Sequence, residues 1–160
     1  NLFLKGFKSS IKEFNKNNIK VVFSGRKEPL SDKVYESMKS LEKETLNNTG
    51  GILNICLNYG GQTEIVDTTK KLINDVLDGK LKTEDITPEI FMKNLYNDLP
   101  PMDFLIRTSG EIRVSNFMLF SLAYAEMYFP LTYFPDFKES EFDKALEEYT
   151  KRDRRFGKNK

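Results

Sequence analysis

Four short apolar runs, near residues 19–23, 52–57, 103–107 and 131–134, alternate with segments of helical periodicity. That alternation limits the folds open to the chain more than any other feature. Short runs rich in β-branched and aromatic residues, separated by amphipathic stretches, predict strands joined by helical crossovers. The fold class expected is α/β, with a mostly parallel central sheet covered by helices on both faces. The helical segments read as follows. Leu2, Phe3, Phe7, Ile11 and Phe14 mark one to about residue 16. Ser31 and Asp32 open a second, with Val34, Met38, Leu41, Thr45 and Leu46 inward. A third, near 62–77, carries Ile65, Val66, Leu72, Ile73 and Val76. Thr87-Pro88 starts a short one reaching about Tyr96. Residues 117–129 are apolar nearly all round and predict a buried helix. The last, from Glu139 to about Arg152, is built around Phe142, Ala145, Leu146 and Tyr149.

Composition excludes several functions. With 25 basic and 24 acidic residues the net charge is +1, so a general nucleic-acid binder is not expected. Histidine is absent, which removes histidine ligands, triad bases and proton relays. The one cysteine, Cys56, cannot form an internal disulfide and reads as a small core residue rather than a nucleophile. No apolar run approaches the ~18 residues of a membrane span, and no leader is visible; the expectation is a cytoplasmic location. Residues 1–160 read as one domain without repeats or linkers. The chain opens at Asn1 inside a helical pattern, which predicts a piece of a longer protein.

The chemically informative stretch runs from 104 to 117. Phe104-Leu105-Ile106 is the strand, Arg107 stands at its end, and Thr108-Ser109-Gly110 has turn composition. Ser115 is placed to cap the helix expected from Phe117. Ligands of open α/β sheets sit beyond the carboxyl ends of the strands, and helix starts attract anions. Arg107 and Arg113 add planar, permanently charged forks suited to phosphate oxygens. The plainest reading is a diphosphate site. The competing one is two solvated arginines paired with Glu111 between them.

Other polar residues leave alternatives open. Glu126, on an apolar segment, must be ion-paired with Arg107 or Arg113, protonated, bound to a metal, or on an exposed edge. Glu111 beside a diphosphate would call for an intervening cation such as magnesium, or is merely solvated. Asn58, in Asn58-Tyr59-Gly60-Gly61 at another strand end, offers an amide to a ligand or belongs to a plain strand-to-helix turn. The closing Arg152, Arg154 and Arg155 suit a helix end. The 13 Phe and 7 Tyr either fill the core or line an apolar tunnel.

The run Ile106-Arg-Thr-Ser-Gly-Glu-Ile-Arg-Val-Ser-Asn-Phe117, with Ala123-Tyr-Ala-Glu-Met-Tyr-Phe129, Phe134-Pro-Asp-Phe137, Asn58-Tyr-Gly-Gly61 and Arg154-Arg-Phe-Gly157, resembles the cis-prenyltransferases. The likeness runs through essentially the whole chain in order and covers the carboxyl-terminal two-thirds of the family. It implies a parallel-sheet, usually homodimeric enzyme that condenses isopentenyl diphosphate onto an allylic diphosphate, with a long polyprenyl diphosphate, here expected to be undecaprenyl, as product. By resemblance, Arg107, Arg113 and Ser115 hold isopentenyl diphosphate. Glu126 belongs to a Mg2+ site, with Glu111 and Asn58 as catalytic support. Leu2, Phe3, Phe7, Leu53 and Ile55 would line a tunnel for the product, whose lipid character implies transient membrane contact. Two departures stand out. The family's amino-terminal Asp-Gly-Asn-Gly-Arg segment, which binds magnesium and the allylic diphosphate, is missing here. Ile112 also stands where some members have histidine. The alternative expectation is a non-catalytic fragment or partner subunit that binds diphosphate without turnover.

Overall fold

The computed structural model describes residues 10–153. Leu2, Phe3, Phe7 and the closing Arg154–Gly157 motif lie outside the described residues. Residues 10–16 are helical and bring Ile11 and Phe14 onto the core. The chain then forms β1 (Ile19–Ser24), α1 (Asp32–Glu44), β2 (Gly51–Cys56), α2 (Gly61–Leu77), α3 (Pro88–Lys93), β3 (Phe104–Ile106), β4 (Glu126–Tyr128) and α4 (Glu139–Thr150). Both strand pairings are parallel, and helices alternate with strands as the periodicity predicts: the fold is α/β. The described strands make two parallel pairs, β1–β2 and β3–β4.

Local chemistry explains why β1 begins where it does. Asn18 takes φ +55, a conformation that Asn tolerates better than most residues. Its carbonyl accepts from Gly50 N at 2.8 Å and its Oδ1 from Thr49 N at 2.9 Å, locking the entries of β1 and β2 side by side. Val21, Phe23, Met38 and Leu41 form the buried core of this half, with Val34, Ile55 and Leu57 packed against it.

The edge of β1 away from β2 is closed by side chains. Val21 N donates to Thr45 Oγ1 at 3.0 Å and Phe23 N to Glu42 Oε1 at 3.0 Å. Asn48 Nδ2 donates to Ile19 O at 2.7 Å and Asn97 Nδ2 to Phe23 O at 2.9 Å. Unpaired strand edges carry a cost in water-free surroundings, and four polar side chains here substitute for a neighbouring strand.

The helix stripes are only partly inward. Met38, Leu41, Thr45, Leu72 and Ala145 are buried, whereas Leu46, Val66, Ile73, Phe142 and Leu146 are exposed. Thr87 caps α3 as expected, accepting from Ile90 N at 3.3 Å. Ser31 sits at the cap of α1, but its side chain makes no capping bond.

Two expected elements differ. Residues 117–129 are not a helix: 115–124 form successive turns, and Glu126–Tyr128 is the fourth strand. Ser115 (φ +45), Asn116 (φ +63) and Met118 (φ +40) are left-handed, which an α-helix excludes. Pairing with β3 then draws 126–128 into the sheet, with Phe104 opposite Glu126 and Ile106 opposite Tyr128. The strand expected at 131–134 is absent. Leu131, Tyr133 and Phe134 are 84%, 68% and 77% exposed, and a 3-10 turn follows at Phe134–Asp136.

Candidate anion site at the end of the third strand

The loop after β3 is built on a firm base. Arg107 N continues the ladder to Tyr128 O at 3.0 Å. Ser109 N donates to Thr132 O and Gly110 N to Pro130 O, both at 2.8 Å. Gly110 has φ +68, where glycine is unstrained. These bonds fix the backbone at the start of the loop, from which the side chains project.

Arg107, Arg113 and Ser115 lie together. Arg107 Nη1 donates to Ser115 Oγ and to the backbone O of Arg113, each at 2.9 Å. Arg113 pairs with Glu111. Both partners of that pair are substantially exposed, so it contributes little stability and yields readily to a competing anion. Among the described residues Arg107 has no acidic partner, and its guanidinium keeps an unneutralised charge beside a hydroxyl donor. Such a group can bind two oxygens of a phosphate at once.

Glu126 is elsewhere. It opens β4 level with Phe104, three residues back from Arg107, or roughly 10 Å at the usual rise of a strand. The ion pairs considered for it with Arg107 or Arg113 are not formed; those two side chains have the partners given above. No group of three potential metal-ligating side chains occurs among the described residues. With Glu111 tied to Arg113 and Glu126 set apart, these residues do not by themselves fit a magnesium site.

Asn58, at φ +51, has its amide occupied. Its Nδ2 donates to Arg26 O at 2.9 Å and Glu28 O at 2.5 Å, holding the loop that leaves β1. Arg26 in turn makes two hydrogen bonds to Asp67, at 2.5 and 2.8 Å, and Tyr96 OH donates to the same carboxylate at 2.5 Å. Arg26, then Tyr96, hold the Asp67 carboxyl down to about 2, against a desolvation effect that pushes it up. Burial, then the Asp67 carboxylate, push the Tyr96 phenol up to about 12. Burial, reinforced by Glu64, lifts the Cys56 thiol to about 11, consistent with an inert residue.

Three contributors went unnoticed in the sequence: Asn116, Tyr59 and Glu64. Buried Glu64 accepts from Tyr59 OH and from Tyr96 N, the latter at 3.2 Å. The Tyr59 ring stands edge-on to Phe117 at 6.2 Å. Asn116 accepts from the first two amides of α2, those of Gly61 and Gln62. The only sequence signals were a polar residue next to Ser115 and a Gly-Gly start to α2.

The fold is of the parallel α/β class, in which ligands sit beyond the carboxyl ends of the strands, where this charged loop stands. The particular family follows from comparison. Residues 1–157 match the family model described as "Putative undecaprenyl diphosphate synthase", and the chain belongs to this prenyltransferase family. It is 49% identical over 156 residues to an isoprenyl transferase of Fusobacterium nucleatum, covering 98% of this chain and 65% of that protein. It is 47% identical over 141 residues to the tritrans,polycis-undecaprenyl-diphosphate synthase (geranylgeranyl-diphosphate specific) of Pyrococcus furiosus, covering 88% of this chain and 53% of that protein. The structure superposes on lavandulyl diphosphate synthase from Lavandula x intermedia, solved in complex with dimethylallyl diphosphate, with a TM-score of 0.90. That match has 31% identity and covers 98% of this chain and 68% of the other. The chain thus spans less than two thirds of the length of these two curated relatives.

Proposed function

We propose that this chain supplies the isopentenyl diphosphate subsite of a cis-prenyl-transferring enzyme. The observation that carries the reading is Arg107, held against Ser115 at the end of β3 with no acidic partner among the described residues. Arg107, Arg113 and Ser115 bind the diphosphate, with the ligand displacing Glu111 from Arg113. In the reaction the allylic carbon–oxygen bond breaks, diphosphate leaves, and a carbon–carbon bond forms to the isopentenyl alkene, which then loses a proton. This chain's residues orient the isopentenyl unit for that step. Magnesium, as cofactor, would be held largely by the diphosphate oxygens and would neutralise charge on the departing diphosphate. The starter is an allylic diphosphate and the product a polyprenyl diphosphate, with undecaprenyl as the expected length.

A homodimer belongs to the proposal. Ile112, Leu131, Tyr133 and Phe134 are strongly exposed apolar side chains on the loops beside the anion site, the kind of patch that marks a protein interface. The described residues contain no helix long and apolar enough to cross a membrane, and any membrane contact would come through the lipid product.

Calorimetry with isopentenyl diphosphate, followed by incorporation of labelled isopentenyl diphosphate with an allylic starter, tests the proposal. Micromolar binding is expected. Because the described residues lack a carboxylate cluster, we expect binding without turnover from this chain alone. No detectable binding would overturn the reading, and measurable condensation would overturn the expectation of inactivity.

A further inference from the structure

The loop carrying Arg113 and Ser115 is moored to a different element of the fold. Asn116 sits at φ +63, between Ser115 at +45 and Met118 at +40. Non-glycine residues in this region are strained and persist only where their surroundings hold them. What holds Asn116 is the start of α2. Its backbone O accepts from Gly61 N at 2.7 Å, and its Oδ1 accepts from Gln62 N at 2.8 Å. The first amides of a helix have no partner within the helix. The residue at the cap of α2 is Gly60, which has no side chain to offer, and Asn116 performs the capping from 54 residues away.

The fit requires glycine at position 61, where a Cβ would lie 2.9 Å from the Leu119 amide; a Cβ on Gly60 would lie 2.9 Å from Asn116 Nδ2 and push that side chain aside. The contact of Tyr59 with Phe117 and its bond to Glu64 brace the same junction. The start of α2 and the loop after β3 are therefore fastened to each other.

We propose that Asn116 is a positioning residue for the diphosphate subsite. By fastening the loop to α2 it fixes Ser115, and through the 2.9 Å bond from Arg107 Nη1 to Ser115 Oγ it sets the direction of the guanidinium. Asn116 touches no ligand atom; its effect passes through Ser115 and Arg107. The inference rests on the isopentenyl diphosphate reading of that site.

The test is calorimetry on the full chain with isopentenyl diphosphate, well below the melting temperature of each variant. Asn116→Gly accepts a positive φ freely and keeps the backbone acceptor, so it deletes little beyond the side-chain cap. It should fold, raise Kd about tenfold, the effect of one positioning hydrogen bond, and speed hydrogen exchange at the Gln62 amide. Asn116→Ala adds backbone strain and should raise Kd further. A Kd within about twofold of the parent for Asn116→Gly, with exchange at Gln62 accelerated, would reduce Asn116 to a structural cap and overturn the inference. Arg107→Ala in the same series separates the two readings. Parent-like binding by that variant would remove the diphosphate site itself, whereas lost binding there with full binding by Asn116→Gly removes only the positioning role.

Discussion

Thr45 Oγ1 lies 3.0 Å from the amide of Val21 and donates onward to Leu41 O at 2.8 Å, so one buried hydroxyl joins the end of α1 to the edge of β1. Thr45 and Val21 are both essentially inaccessible to water. Thr45→Val preserves shape but leaves the Val21 N–H without its acceptor. The expected loss is about 1–3 kcal/mol in urea unfolding. A variant as stable as the parent would mean that water or another group replaces the hydroxyl.

Arg107 and Arg113 should not be equivalent. Arg107→Ala removes a cation that has no acidic partner among the described residues, together with its bond to Ser115, and is expected to weaken isopentenyl diphosphate binding by about 1.5–3 kcal/mol. Arg113→Ala removes a cation already shared with Glu111 and should cost less. Calorimetry on the two variants checks the order, and equal losses would contradict it.

Asp67 sets a pH window. Its carboxyl is held near 2 in the folded chain, below the ordinary value of about 3.8. The unfolded chain therefore binds more protons between about pH 4 and 2, and stability conferred by this carboxylate is lost as the pH falls through that range. Asp67→Asn should be less stable at neutral pH and show a shallower acid slope. Thermal melts at successive pH values read both effects, and identical slopes would exclude Asp67 as a contributor.

Cys56 should resist alkylation. A thiol lifted from 9.0 to about 11 has roughly a hundredfold less thiolate near neutral pH. Its labelling by iodoacetamide should lag a free thiol at least by that factor under native conditions. Labelling at the free-thiol rate would show that the burial is not maintained in solution.

The apolar patch carries the dimer proposal. Leu131→Glu together with Phe134→Glu replaces side chains that are 84% and 77% exposed, so neither should harm the fold. If this patch joins two copies, sedimentation will shift from dimer to monomer. A parent that sediments as a monomer, or a double variant that stays dimeric, would exclude the patch as the interface.

Strong local signals made β1, β2, β3, α1, α2, α3 and α4 legible: β-branched runs such as Ile19 to Phe23, amphipathic stripes, and the Thr87-Pro88 start of α3. The stretch after Ser115 misled because it contains no glycine or proline, and an unbroken apolar run has no period to tell a buried helix from turns and a strand. What decided it was tertiary: left-handed residues at 115, 116 and 118, and the pairing of Glu126–Tyr128 with β3. The grouping of Arg107, Arg113 and Ser115 was legible because it is local, within nine positions of one loop. That Glu126 stands on a strand level with Phe104, rather than on a helix, was not legible because a parallel register cannot be read from spacing. Asn116 and Glu64 escaped for the same reason, since their partners come from other elements.

The side-chain seal along β1 also gives the molecule a handed susceptibility. With Thr45, Glu42, Asn48 and Asn97 occupying that flank, an intruding peptide would have to displace four native bonds to seat itself there. Along the outer edge of β2, no strand pairs among the described residues, and the Ile52 and Leu53 side chains are exposed. Misassembly in concentrated solution would accordingly propagate from β2 outward, and a single lysine introduced on that flank would be the economical place to stop it.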